Sequence, residues 1–156
     1  MRRFEEVSKE FRKLPNVETK LPERSSSRSA GYDFYSKEDY ILRPGESHIF
    51  WTDIKVAMFF DNVLMIVARS GLGCKKGIVP RNCLGIIDAD FFGNPQNDGG
   101  IGICLVNNGD EIAEIKIGDK IAQGIFTRYA IVDEDKFLNP KIDAVERTGG
   151  FGSTGR

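Results

Sequence analysis

Short runs of apolar and β-branched residues alternate along this chain with turn-forming residues. Such runs are typical of strands, and no helical periodicity continues long enough to predict a long helix. The turn signals include residues 43–46 (Arg-Pro-Gly-Glu) and a hairpin-like pair at residues 61–62 (Asp-Asn). Many short strands together with 17 glycines predict an all-β sandwich or barrel. The predicted strands are residues 30–35, 48–56, 63–68, 77–79, 84–87, 101–107, 111–115, part of 120–131, and 141–144.

Three segments depart from this pattern. Residues 1–13 fit either a short amphipathic helix or an opening strand, and their sequence does not separate the two. Residues 14–29 contain two prolines and a serine cluster, which predict a loop. One helical turn is predicted around residues 72–76.

The most informative stretch is residues 85–93, where an apolar run ends in Asp88 and Asp90 and continues into Phe91 and Phe92. If the strand continued, a period of two would place both carboxylates on the same side of the backbone. An ordinary hairpin with solvated acids is the alternative, since aspartate is common where strands turn. These nine residues alone do not decide between a site and a turn.

Charge and length limit the possible function classes. The 156 residues, enough for one domain, contain 22 basic and 23 acidic side chains, a formal net charge of −1. Without a basic excess, the chain does not have the electrostatic footprint of a nucleic-acid-binding protein. A polyphosphate substrate needs only a few local arginines and lysines, so it stays compatible with this composition.

The cysteines and the N-terminus predict a reduced, cytoplasmic protein. Cys74, Cys83 and Cys104 lack a close-paired spacing, and His48 is the sole histidine, so a zinc site is not expected. The first residues are charged, and no apolar run is long enough to span a bilayer. We therefore expect no membrane segment.

Two internal segments and the C-terminal tail have the composition of phosphate-binding segments. Residues 69–73 (Arg-Ser-Gly-Leu-Gly) follow a strand into a glycine turn, which would present backbone amides, a hydroxyl and a guanidinium together. Residues 118–123 form a turn before a strand that carries the Gln123 amide. Residues 147–156 hold several glycines around Phe151, which suits either a disordered end or a lid.

In order along the chain, five segments resemble the five motifs of the trimeric dUTPases. They are residues 30–33 (Ala-Gly-Tyr-Asp), 69–72, 85–88 (Gly-Ile-Ile-Asp), 118–123 and 147–155. Each motif alone is weakly specific, whereas five in the same order and at similar spacing are strongly specific. The resemblance implies a jelly-roll-like β-barrel. Its expected parts are a lead-in segment (1–29), a barrel (30–138) and a C-terminal arm (139–156) that closes over a neighbour's site.

This resemblance also implies an activity. A homotrimer would hydrolyse dUTP to dUMP and pyrophosphate, limiting uracil incorporation into DNA and supplying dUMP for dTMP synthesis. Each site would draw on all three chains. Mg²⁺ is the implied cofactor, held mainly by phosphate oxygens and water.

Roles for individual residues follow from the motif matches. Asp88 matches the aspartate that activates water for attack on the α-phosphorus, and Asp33 the one that holds magnesium-bound waters in the outer shell. The phosphate-contacting positions are Arg69, Ser70, Gly71 and Gln123. The positions around uracil are Asn82, Ile86, Ile87 and Gly102. The arm supplies further substrate-binding positions. Arg147 would bind phosphate and Phe151 would stack on the base, and the remaining positions are Gly152, Ser153 and Thr154.

The chain departs from the family pattern at four places, one of which is Phe92, where the family often has an arginine or another polar residue. Phe91 stands where the family usually has the tyrosine that lies under deoxyribose, so exclusion of a 2′-hydroxyl would depend on sterics. The connection around residues 94–101 is about six residues longer than usual. It could reshape the rim of the pocket or bulge into solvent, and we expect the latter. Arg147 lies four residues before Phe151, where the family more often has five.

Two alternative functions remain open. A dCTP deaminase of the same superfamily needs a glutamate near the cytosine amine, but no glutamate occurs between Arg69 and Asp110. A regulatory protein partner, bound through the long hairpin, is the second alternative, and it would add to hydrolysis rather than replace it.

Overall fold

The computed structural model describes residues 1–133, which form twelve β-strands and one α-helix. This confirms the all-β fold class. Short 3₁₀ turns lie at Lys9–Phe11 and Ala89–Phe91. The strands are β1 Arg3–Glu6, β2 Glu23–Arg24, β3 Tyr32–Tyr35, β4 Tyr40–Leu42, β5 Ser47–Trp51, β6 Ile54–Ala57, β7 Asn62–Val67, β8 Ile78–Pro80, β9 Gly85–Asp88, β10 Gly102–Asn107, β11 Ala113–Ile115 and β12 Lys120–Arg128, and the helix is α1 Ser70–Lys76.

The strands form one five-stranded sheet and three smaller ones. The large sheet has the order β2-β3-β12-β7-β9, and every pairing in it is antiparallel. The others are β5-β10-β8, β1-β6 and β11-β4. Neighbours in the large sheet come from distant parts of the chain, which brings four of the five predicted motifs onto one sheet or its edge.

The hydrophobic core lies between the large sheet and the smaller ones. Phe34 and Leu64 from the large sheet and Phe50 and Leu105 from the three-stranded sheet are among its fully buried side chains. Inward and outward positions alternate along β10, which is the strand period that the sequence shows. Gly124 in β12 is required by this packing, because a Cβ there would meet the Phe34 ring at 2.8 Å.

The N-terminal segment is part of the sheet structure. Of the two alternatives for residues 1–13 the strand is present, since β1 pairs with β6 and Val7 is fully buried. The loop predicted for residues 14–29 includes the short strand β2 on the edge of the large sheet. A buried ion pair between Lys37 and Asp53, 2.7 Å apart, also binds backbone groups of residues 13 and 14 and so fastens this segment.

Two sequence-based details were wrong. Residues 48–56 were predicted as one strand, but the chain turns at Asp53, whose φ of 53° is left-handed, and the two halves join different sheets. The hairpin expected at residues 61–62 is absent, because β6 pairs with β1 whereas β7 pairs with β12 and β9. Strand β4 was not predicted at all.

The described residues, 1–133, contain no helix long and apolar enough to cross a membrane. The strand predicted at residues 141–144 and the arm predicted at 139–156 lie outside these residues.

Candidate active site

A pocket of about 670 Å³ opens where β9 meets β10 and the turn that follows β8. Its walls are largely apolar, with the Asn82 amide, the Arg81 guanidinium and backbone groups supplying polarity, and its size suits a base and a sugar. Five of the residues predicted to bind substrate line it, namely Asn82, Ile86, Ile87, Phe91 and Gly102. The structure therefore brings the predicted nucleoside-binding residues together.

Two glycines let the strands approach closely around this pocket. Gly85 starts β9 opposite Ile66 of β7, and a Cβ on Gly85 would lie 3.0 Å from the Ile66 side chain. Gly102 starts β10 opposite Trp51, where a Cβ would meet Ile49 and Trp51 at 3.0 Å. Glycine at these positions keeps the backbone accessible on the pocket side, as recognition of a base edge through the backbone requires.

Asp88 ends β9, directly after the pocket-lining residue Ile87. The carboxylate is half-buried and stands opposite Val63 at the start of β7. Asp90 does not share its side of the strand, so the period-two expectation was wrong. Strand geometry stops at Asp88, and residues 89–91 turn into a 3₁₀ helix that leaves Asp90 exposed. The two carboxylates are therefore not an equivalent pair.

Phe91 forms part of the pocket wall at the end of this 3₁₀ turn. Its side chain is only 5% exposed. The residues that follow do not bulge into solvent as expected. Asn94 and Asp98 are buried, and only Gly93, Pro95 and Gln96 of the extended connection are exposed.

A second group of candidate residues surrounds Asp33 on the large sheet. The Asp33 carboxylate forms two ion pairs. Its Oδ1 lies 2.8 Å from Arg69 Nε, and its Oδ2 lies 2.7 Å from Lys120 Nζ. Ser25 Oγ also donates to it at 2.6 Å. Asp33 is 4% exposed, while the Arg69 and Lys120 side chains are about one-third exposed. Two cations facing one carboxylate give this cluster a net positive charge suited to an anion.

The electrostatics of Asp33 bear on the predicted metal. Burial alone would raise its pKa, but hydrogen bonds from Lys120 and Ser25 and the charges of Arg69 and Lys120 together lower the pKa below its ordinary value. Each Asp33 oxygen already accepts from at least one donor, so this carboxylate is poorly placed to bind a metal ion directly. Among residues 1–133, no three acidic, histidine or cysteine side chains group as metal ligands either. The outer-shell role of Asp33 stays a prediction.

Gln123 lies beside this cluster on β12, in register with Asp33 on one side and Val67 on the other. Its Nε2 donates to the Ala68 carbonyl at 3.1 Å. Gly31 is needed here, because a Cβ on it would approach Gln123 Oε1 to 2.2 Å. The glycine of the first motif thus makes room for the amide of the fourth.

Arg69 precedes α1 rather than a glycine turn. The amides of Leu72 and Gly73 donate to the Arg69 carbonyl, which closes the first helical turn through Ser70 and Gly71. The helix predicted around residues 72–76 therefore begins two residues earlier. It places the Arg69 side chain on Asp33 and leaves open space above Gly71.

The nucleoside pocket and the Asp33 cluster are separate within one chain. Asp88 pairs with Val63 and Gln123 pairs with Val67, so both lie on the same face of the sheet, four residues apart along β7. With 3.3 Å per residue and two strand spacings of 4.8 Å between β9 and β12, their backbones are about 16 Å apart. The structure brings the predicted residues together as two half-sites.

Some site residues were missed or cannot be placed. Lys120 and Ser25 were not predicted, although Lys120 stands in the fourth motif and Ser25 in the serine cluster. Their contacts depend on β2 and β12 lying on either side of β3, which the sequence alone does not show. The predicted arm residues Arg147, Phe151, Gly152, Ser153 and Thr154 lie outside the described residues.

Comparison with known proteins gives one consistent result. The family model described as dUTPase matches residues 17–155. The deoxyuridine 5′-triphosphate nucleotidohydrolase of Lactococcus lactis is 37% identical over 155 residues, 99% of this chain and 98% of that protein. The mouse protein of the same name is 40% identical over 136 residues, 86% of this chain and 78% of that protein.

Solved structures agree on the fold. A dUTPase from Streptococcus mutans superposes with a TM-score of 0.71 and 31% identity, covering 83% of this chain and 98% of that one. The dUTPase from phage phi11 of S. aureus, described with a structural Mg(II) ion, has a TM-score of 0.66 and 24% identity, covering 85% and 94%. The second likeness bears on the fold alone.

Proposed function

Because this chain belongs to the dUTPase family, we propose that it hydrolyses dUTP to dUMP and pyrophosphate. The observation that carries this proposal is the course of β9. Its isoleucines line a pocket of nucleoside size, and its last residue is the carboxylate Asp88. A base and sugar held in that pocket would have their 5′ substituent near the end of the strand, where a water and a carboxylate can meet it.

Asp88 acts in this proposal as the general base. An ionised carboxylate within hydrogen-bond reach of a water can accept its proton as the water oxygen attacks the α-phosphorus. The bond to the bridging oxygen then breaks, and pyrophosphate leaves with the electron pair. The half-buried position at a strand end fixes the carboxylate while still admitting water.

Selectivity for uracil is assigned to the backbone around Gly102 and to Asn82. A donor and acceptor array that pairs with one base edge leaves buried polar groups unpaired when cytosine presents the swapped pattern. Exposed Ile86 and the buried Phe91 ring would cover the faces of base and sugar. Deamination of dCTP has no comparable support from the described residues.

The triphosphate is proposed to meet the Asp33 cluster of a second copy of the chain. The Gln123 backbone lies about 16 Å from that of Asp88 within one chain, and Arg69 lies beyond the end of β7, so both are too far away to act on the same phosphates as Asp88. A homotrimer in which each site takes its pocket from one copy and its cations from another would resolve this separation. Residues 147–156 of the third copy would then close over the bound nucleotide.

Magnesium is proposed as the cofactor because a triphosphate needs charge neutralisation. The Asp33 oxygens already accept from Arg69, Lys120 and Ser25, so phosphate oxygens and water would be the main ligands of the ion. No catalytic step is assigned to a metal bound directly by this chain. The regulatory partner and the cytoplasmic location stay predictions.

Pyrophosphate release tests the proposal. Purified protein with magnesium should turn over dUTP and leave dTTP, dCTP and UTP nearly untouched. Asp88→Asn should lower kcat by about 10²- to 10⁴-fold, the range that a general base contributes, with little change in affinity for dUMP. Asp90→Asn is the matched control, because it alters an exposed carboxylate two residues away.

Comparable turnover of dCTP would contradict the assignment, and so would full activity of Asp88→Asn. Deleting residues 147–156 separately tests the arm. Loss of turnover with an unchanged urea midpoint is the expected result, whereas unchanged turnover would remove the arm from the proposal.

A further inference from the structure

The extended connection after Phe91 is a folded loop, which we define as the 94–100 loop. Asn94 organises it, since its Nδ2 donates to the Asn97 side chain at 2.6 Å and its Oδ1 accepts the amides of Gln96 and Asn97. The amide of Asp98 donates to the Asn94 carbonyl at 2.9 Å. The loop therefore has its own hydrogen-bond network and a defined shape.

This loop is fastened to the N-terminal segment by Asp98. The Asp98 carboxylate accepts the Ser8 amide at 2.8 Å, the Ser8 hydroxyl at 2.6 Å and the Lys55 ammonium at 2.7 Å. Burial alone would raise its pKa, but the bonds from Lys55 and Ser8 outweigh it and lower the pKa. Lys55 also lies 4.9 Å from the centre of the Phe92 ring. One carboxylate thus joins three parts of the chain that are distant in sequence.

The same loop contacts the residue that forms the pocket wall. Asn94 Nδ2 donates to the Phe91 carbonyl at 2.9 Å, as well as to Asn97. Gly99, with a φ of 82°, passes so close that a Cβ would lie 2.7 Å from that carbonyl. Gly100 lines the pocket together with Phe91. A shift of the loop would therefore move the backbone from which the Phe91 ring projects.

The position of this ring matters more because the side chain is phenylalanine. A phenol can be held at its tip by a hydrogen bond, whereas a phenyl ring has no polar group at that position. Steric exclusion of a 2′-hydroxyl depends on ring placement to within a fraction of an ångström, since contact energies change steeply over that distance. The backbone carrying the ring must then be fixed by other groups.

We propose that Asp98, acting through the 94–100 loop, is a positioning residue that sets the discrimination between deoxyribose and ribose at Phe91. The proposal rests on the proposed function in one respect, namely that the nucleoside occupies the pocket lined by Phe91. Asp98 does not touch the nucleotide in this scheme. It holds the loop against Ser8 and Lys55, and the loop holds the Phe91 backbone.

The test compares two nucleotides on the same preparation. Asp98→Asn keeps the side-chain shape but removes the charge that pairs with Lys55, and we expect the ratio of kcat/KM for dUTP over UTP to fall about tenfold. Asn94→Ala, which removes the bond to the Phe91 carbonyl, should lower the ratio similarly. Gln96→Ala changes an exposed side chain of the same loop and should leave the ratio unchanged.

A second control distinguishes positioning of Phe91 by Asp98 from a general loss of stability. Asp53→Asn opens the ion pair with Lys37, which is the other pair in the described part of the chain with both partners buried. The Asp53 carboxylate also accepts the backbone amides of Lys13 and Leu14 and does not contact the 94–100 loop. Asp53→Asn should therefore lower the urea midpoint without altering the ratio. Because both nucleotides meet the same folded molecules, the ratio does not depend on how much of a variant is folded. An unchanged ratio in both Asp98→Asn and Asn94→Ala would overturn the proposal.

Binding of dUMP and UMP by calorimetry separates this proposal from the proposed function. A wild-type protein that binds dUMP but does not hydrolyse dUTP would contradict the function alone. The dUMP-to-UMP affinity ratio in the variants would then decide the role of Asp98. A wild-type protein that binds neither nucleotide would overturn both.

Discussion

The two half-sites on the large sheet differ in almost every physical property. The pocket between β9 and β10 is mostly apolar, while Asn82, backbone groups and one cation, Arg81, supply its polarity. The cluster around Asp33 is ionic, with Arg69 and Lys120 on a carboxylate that is nearly buried. The pocket is shaped for recognition by fit, whereas the cluster is suited to holding charge. Neither region resembles a complete active site alone.

The difference between the apolar pocket and the cationic cluster matches the two parts of a nucleotide, its nucleoside and its phosphates. A charged group in an apolar pocket must be solvated or paired, and Arg81, the one cation lining this pocket, is exposed and donates to Ser47. A cationic cluster needs partial exposure to receive a polyanion. The two regions lie four residues apart along β7, which keeps both environments intact. Under the proposed function, a second chain then supplies the missing half.

The largest expected effect comes from mixing two inactive variants. Asp88→Asn damages the pocket side, and Arg69→Ala damages the cationic side. If each site combines two chains, co-refolding equal amounts should restore roughly a quarter of wild-type dUTP turnover, because one site in four then receives both intact halves. Pyrophosphate release before and after mixing measures this.

Each variant refolded alone provides the baseline for that experiment. A mixture no more active than its components would show that a single chain supplies both halves. In that case the 16 Å separation would have to close by a conformational change instead.

An intermediate effect is expected at Asp33. Asp33→Asn leaves two cations without their carboxylate and should lower the free energy of unfolding by about 2–3 kcal/mol at pH 7. The folded pKa of Asp33 lies below its unfolded value. The contribution of the Asp33 charge to the free energy of unfolding is therefore complete above the unfolded pKa of about 4. It is lost as the pH falls through the folded pKa.

Urea unfolding of wild type and Asp33→Asn across this pH range provides the measurement. The two midpoints should converge in acid, and a difference that stays constant down to the lowest pH would contradict the role of the charge. Ser25→Ala removes only one hydrogen bond to Asp33 and should cost about 1 kcal/mol.

The smallest effect is predicted at Gly31. Gly31→Ala forces the Gln123 amide aside and breaks its bond to the Ala68 carbonyl. Loss of one phosphate-facing amide should raise KM for dUTP by about five- to tenfold, since a hydrogen bond is worth about 1 kcal/mol. Binding of deoxyuridine, which carries no phosphate, should not change. Adding Gly31→Ala to Gln123→Ala should then have little further effect, and a full additive loss would contradict this mechanism.

Local patterns in the sequence predicted much of the fold. Strands β7 and β10 were predicted within one residue, because each is a nearly continuous apolar or β-branched run next to an asparagine. Strand β12 occupies residues 120–128 of the range 120–131 in which a strand was predicted. The break at Asp53 was missed, since a left-handed backbone at a single aspartate leaves little trace in a run of apolar residues. Strand β4 was also missed, although β8 and β11 are equally short and were predicted.

The sequence by itself determined the family and most candidate site residues, because motif order is a property of the chain. Only the tertiary structure decided how those residues are grouped. It paired Asp33 with Arg69 and Lys120, separated Asp88 from Gln123, and folded the 94–100 loop onto Ser8, ninety residues away in sequence. The physical reason is that strand register and long-range hydrogen bonds depend on which distant segments become neighbours. A local sequence pattern predicts the secondary structure of each segment but not which distant segment it pairs with.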